Sequence, residues 1–87
     1  MPEISRFLGM VVRMYWDDHR PPHFHVEYGG QEAVVVIDTL EVVRGRLPRR
    51  ALALLAEWTL QHREELRTDW EWAERGEPIL PSAPLEE

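Results

Sequence analysis

Three of the four histidines fall within seven residues, in the order His19-x3-His23-x-His25. On an extended strand, alternate side chains leave the same face roughly 6.5–7 Å apart. His23 and His25 can therefore converge on one ligand, with His19 entering from the preceding loop and Asp17 and Asp18 adding carboxylates. Neutral imidazole is a ready ligand for a divalent metal such as zinc, and three ligands, His19, His23 and His25, leave one coordination position open. The same rings titrate near neutral pH and suit general acid–base work, which makes His19, His23 and His25 catalytic candidates. A plainer reading remains: histidines on the solvent face of a strand, or bracing a Pro-Pro-His turn by hydrogen bonds. The pattern is looser than a four-ligand zinc motif, and all three readings stay open on the residues alone.

The elements that must position these groups follow from periodicity. Phe7–Trp16 alternates, with Leu8, Met10, Val12, Met14 and Trp16 on one side, and reads as a first strand. Asp17–Pro22 breaks it with two aspartates and two prolines. His23–Tyr28 resumes the alternation: Phe24, Val26 and Tyr28 form the apolar side and His23, His25 and Glu27 the other. Gly29-Gly30 predicts a tight hairpin turn. Gln31–Asp38, apolar on both faces through Ala33–Ile37, predicts a central strand. A short strand near Glu41–Arg44 ends at Gly45.

Pro48 suits the start of a helix, and Ala51, Leu55, Trp58, His62 and Leu66 form a stripe facing a sheet. The stripe runs on through Trp70 and Ala73. Thr68 offers a break and a second helix start, and Gly76 a stop. The expectation is an α+β domain over residues 1–76. In it, an antiparallel sheet of three to four strands is followed by one long or two consecutive helices packed on one face. Residues 77–87, with prolines at every third position from Pro78 to Pro84, read as an extended tail with little packing.

Other candidates are weaker. His62 lies on the apolar stripe and reads as a hydrogen-bonded core histidine. A helix packed across the face of His23 and His25 would bring it near them; Phe24, Val26 and Tyr28 make the better core face, which would put it on the opposite side. Arg44, Arg46, Arg49 and Arg50 gather where the helix begins, a place where unpaired N–H groups and guanidinium forks hold phosphate. Arg20, Arg46 and Arg49 are the anion-binding candidates, against a solvated face balanced by Glu41 and Glu57. Trp72 falls off the stripe and is a candidate partner anchor, unless the tail folds back to cover it with Ile79 and Leu80.

Composition narrows the function classes. Eighty-seven residues make one domain with a modest core. The absence of cysteine removes disulfides and thiolate sites, and all ten basic residues are arginine. A net charge of −6 argues against a broad grip on nucleic acid, although a local basic patch remains compatible with RNA. The opening residues lack a basic and apolar leader, and no apolar run approaches the ~20 residues of a membrane span, so the expected compartment is the cytoplasm, without membrane association. Serines occur only at Ser5 and Ser82, which leaves no nucleophilic triad. An exposed edge strand would permit a homodimer.

Several segments resemble one small bacterial family. They are Met1–Phe7, Asp18-His19-Arg20-Pro21-Pro22-His23-Phe24-His25-Val26, Gly45-Arg46-Leu47-Pro48-Arg49-Arg50-Ala51, and a helix carrying Glu57-Trp58, His62, Glu65-Leu66 and Trp70. The chain is similar in these to domain-of-unknown-function family 4160, over nearly its whole length except the tail. The resemblance implies a small stand-alone protein, often encoded beside a small partner of family 2442. It also implies, for some members, the toxin half of a type II toxin–antitoxin pair, neutralised by a small cognate antitoxin-like protein. It carries no catalytic assignment. If such a toxin cleaved RNA, His23 and His25 would be its acid and base, with Arg20 or Arg46 holding phosphate. A non-enzymatic interaction module and a small metal-binding protein are the rival expectations.

Overall fold

The structure, a computed structural model, describes residues 3–16 and 18–85. Five strands, β1 (Glu3–Phe7), β2 (Met10–Arg13), β3 (His23–Tyr28), β4 (Gln31–Val36) and β5 (Val42–Gly45), precede one helix, α1 (Arg49–Glu74). The strands pair antiparallel in chain order, each with the next.

The sheet has one strand more than the sequence suggested. What read as a single strand from Phe7 to Trp16 is the end of β1, a two-residue turn, and β2. Leu8 and Gly9 both take positive φ, 48° and 83°, which is the backbone a tight hairpin requires. Leu8 hid that turn, since its apolar side chain continued the alternation and leucine rarely adopts this conformation. At the other hairpin, Gly29 and Gly30 take positive φ as expected.

One sheet face carries Met10, Val12, Phe24, Val26, Ala33 and Val35, all buried. The helix stripe of Ala51, Leu55, Trp58, Leu66, Trp70 and Ala73 closes over it. Trp58 is the keystone: its ring lies 5.2 Å from Phe7 and 6.1 Å edge-on from Phe24. A fully buried tryptophan of this kind contributes roughly 3–5 kcal/mol against truncation to alanine. The expectation that Phe24 and Val26 form the core face therefore holds.

The helix bends at His62, whose φ and ψ of −119° and 15° are not helical. Thr68, the expected break, sits inside the helix and donates its hydroxyl to the Glu64 carbonyl. At the C-terminus, Gly76 N–H reaches the Ala73 carbonyl and Glu77 N–H the Trp72 carbonyl, the Schellman arrangement that a glycine at φ 71° allows.

The tail is extended, but it is not loose. Trp16 Nε1 donates to the Glu77 carbonyl, Leu80 N–H to Asp69, Ser82 N–H to the Ile4 carbonyl and Trp58 Nε1 to the Ala83 carbonyl. Leu85 is buried. Tryptophan N–H groups and edge-strand carbonyls, which periodicity does not weigh, hold the proline-rich segment down.

Candidate metal-binding cleft

The second sheet face carries the chemistry. His23 pairs with Val36 across β3–β4 and His25 with Val34, so both rings leave β3 on the face away from Phe24. Their centroids are 5.4 Å apart. His23 opens the strand and is buried, with the helix residue Trp70 5.0 Å from its ring. His25 is mostly buried, with Tyr15 edge-on at 4.5 Å.

Asp18 joins the two rings. Its Oδ2 lies 2.9 Å from His23 Nε2 and 3.3 Å from His25 Nε2. Burial alone would push this carboxyl up. Hydrogen bonds from His25, the His19 backbone N–H and His23 outweigh it, and they hold the group below the usual aspartate value. One ligand atom from each of Asp18, His23 and His25 lies within 4.8 Å of the others. Around a tetrahedral zinc with bonds of 2.0–2.1 Å, ligand atoms stand about 3.3 Å apart. The Oδ2–Nε2 separations of 2.9 and 3.3 Å are close to that edge length.

The outer nitrogens constrain the rings further. His23 Nδ1 lies 2.7 Å from the Pro21 carbonyl oxygen, which can only accept, so Nδ1 carries a proton. Nε2 then meets the Asp18 carboxylate either as the second N–H of a charged ring, which is the hydrogen bond that lowers Asp18, or as a lone pair. Two acceptors face each other unless a proton or a cation stands between them. His25 Nδ1 is buried without a hydrogen-bond partner among the described residues, and Glu32 Oε1 lies 3.8 Å from it. The backbone carbonyl behind His23 is an outer partner of the kind that orients metal-bound histidines; Glu32 stands too far from His25 to hydrogen-bond it.

The remaining candidates separate around this centre. His19 stands at the rim, 81% exposed, with Nδ1 3.2 Å from Asp18 Oδ1 and its ring 5.6 Å from His23. Asp17 lies outside the described residues. Arg20 is exposed and paired with Glu74 at 2.9 Å. Arg46 and Arg49 are exposed between β5 and the first turn of α1. Trp72 is half-buried beside Pro78 and Leu80 in a groove under the tail. His62 sits between Trp58 and a hydrogen bond to Glu65, lining a hollow with Ala83 and Pro84.

A cleft of about 340 Å³ opens beside the cluster, lined by Asp18, His19, His23, His25, Val34 and Arg44 among others. The sequence did not single out Arg44 from its neighbours. A bulge in the β4–β5 pairing brings it here: Val42 faces Val35 of the core, Arg44 faces Val34 of the outer side, and Val43 is left between them.

Comparison with known proteins gives one result. A family model described as a domain of unknown function (DUF4160) matches residues 9–71, a span that holds the histidine segment, Arg44 and most of the helix. No curated protein and no solved structure gave a significant match.

Proposed function

The chain belongs to the DUF4160 family, and we propose that it is a metal-binding protein holding one divalent transition metal, such as zinc, through Asp18, His23 and His25. The observation that carries this reading is Asp18 Oδ2 set between the two Nε2 atoms at near-ligand spacing. Two imidazoles and a carboxylate leave at least one position open toward the cleft, as a site that polarises a substrate or a water requires. His23 is a better ligand than proton shuttle, because it is buried, with Nδ1 engaged by Pro21 and Nε2 by Asp18. Zinc stoichiometry of tag-free protein after dialysis tests the reading. One equivalent is expected for the native chain and well under half an equivalent for His25→Ala with an unchanged circular dichroism spectrum. Substoichiometric zinc in the native chain refutes it.

A second reading concerns the biological role: the toxin half of a toxin–antitoxin pair, acting on RNA and held in check by a small cognate partner. The family resemblance suggests it, and His25 and Arg44 lining one open cleft favour it. Growth inhibition on induction, lost in His25→Ala and relieved by the neighbour-encoded protein, is the expected outcome. Unchanged inhibition by His25→Ala would exclude the cleft from that role.

A further inference from the structure

Resting on the metal reading above, we propose that the cleft is an oxyanion site, in which Arg44 grips a phosphate group whose oxygen occupies the open position of the metal held by Asp18, His23 and His25.

The register places the parts. Arg13, His25, Val34 and Arg44 form one row across β2, β3, β4 and β5. Strands lie about 4.8 Å apart, so the Arg44 backbone stands roughly 9–10 Å from that of His25 on the same face. An extended arginine side chain spans most of that gap, and a phosphate bridges the remainder between guanidinium and metal. Val34, between His25 and Arg44 in that row, is apolar and nearly fully buried; it gives the cleft a floor that offers no competing hydrogen bond.

Charge points the same way. Arg13 is engaged by Glu27 at 2.8 Å, whereas Arg44, like Arg46, Arg49 and Arg50, makes no ion pair among the described residues, and of these four it alone lines the cleft. A divalent metal and the Arg44 guanidinium, set against Asp18 and the nearby Glu32 carboxylate, would leave the cleft locally cationic on a chain of net charge −6. That charge favours an anion in this cleft. Guanidinium forks match phosphate oxygens bidentately, which a carboxylate-lined or purely apolar cleft would not do. The bulge at Val43 supports the same assignment. In an unbroken strand Val42 and Arg44 would share a face; the extra residue keeps Val42 on the core and turns Arg44 to the histidines.

The Co(II)-loaded full chain provides the test, since Co(II) reports its own coordination through visible absorption. Inorganic phosphate is titrated in one arm and the dinucleotide UpU in another, to separate a free phosphate from a phosphodiester. Phosphate is expected to perturb the Co(II) bands saturably. Arg44→Gln should retain the Co(II) spectrum and weaken phosphate roughly ten- to hundredfold, the loss expected for a charge-assisted contact. Arg75→Gln, which removes an arginine paired with Glu77, should leave both unchanged. Saturable perturbation by UpU as well extends the site to phosphodiesters; its absence confines it to free phosphate. A Co(II) spectrum indifferent to both probes, or equal phosphate affinity in Arg44→Gln, overturns this inference alone. Failure to bind Co(II) at all overturns the metal reading and this one with it.

Discussion

Replacing Asp69 by asparagine should make the protein more stable at alkaline pH and leave it nearly unchanged in acid. Asp69 is 2% exposed on the helix stripe. Its Oδ1 accepts the Leu80 N–H at 3.1 Å, while Oδ2 is buried without a hydrogen-bond partner among the described residues. Burial is the main cause that pushes its carboxyl up to about 6, from an ordinary 3.8; nearby Glu65 adds to the rise and the Leu80 hydrogen bond opposes it. Glu64 and Glu65 share the adjoining groove with Thr68 and Trp72, and His62 holds Glu65 from the previous turn.

The sign follows from proton counting. Between roughly pH 4 and 6 the folded chain keeps a proton that the unfolded chain has released, so stability falls as pH rises through that window. Above it the folded state carries the whole cost, about two pKa units at 1.36 kcal/mol each, or ~3 kcal/mol. Asparagine preserves the Oδ1 acceptor and the shape without the charge. Asp69→Asn is therefore expected to gain about 2–3 kcal/mol near pH 8, a Tm rise of roughly 10–20 °C, and about 0.5 kcal/mol near pH 4. Urea unfolding followed by tryptophan fluorescence at both pH values measures this. A variant no more stable than the parent near pH 8, or a difference independent of pH, would refute the reasoning.

Three other variants probe the scaffold. Gly45→Ala would place a methyl 1.9 Å from the Glu32 carbonyl oxygen at a φ of +78°, so a loss above about 2 kcal/mol is expected by chemical denaturation, together with weaker phosphate binding as Arg44 shifts. Trp58→Ala should cost about 3–5 kcal/mol by chemical denaturation and release the Ala83 contact, raising protease cleavage near Ala83 while the contacts at Glu77, Leu80 and Ser82 still hold the preceding tail. His62→Ala should leave zinc stoichiometry unchanged and stability within about 1 kcal/mol, since His62 partners Trp58 and Glu65 rather than the cluster.

Much of the positioning was legible because alternation encodes faces. Phe24 and Val26 against His23 and His25 separated the two faces of β3 and made the first the better core face, but which face the helix covers became plain only in the fold, where Trp58 meets Phe24. The hairpin at Leu8 was illegible because an apolar residue occupied a turn position whose demand is on φ, not on polarity. Asp18 stood in plain view, but only the folded loop distinguishes a carboxylate between two rings from one beside them. Arg44 could not be separated from Arg46 and Arg49, because a one-residue bulge decides which arginine faces the histidines. Asp69 carried a signal that propensity masked: its spacing from Leu66 and Ala73 puts it on the stripe, while an aspartate after Thr68 looks like a helix start.

Anomalous diffraction at the zinc edge, from crystals grown with zinc, locates the ion without reference to any activity. A single peak is expected about 2.0–2.1 Å from Nε2 of His23, Nε2 of His25 and a carboxylate oxygen of Asp18. A peak held instead at His62 and Glu65, or no peak in well-ordered crystals, would contradict the assignment of the cluster as a metal centre.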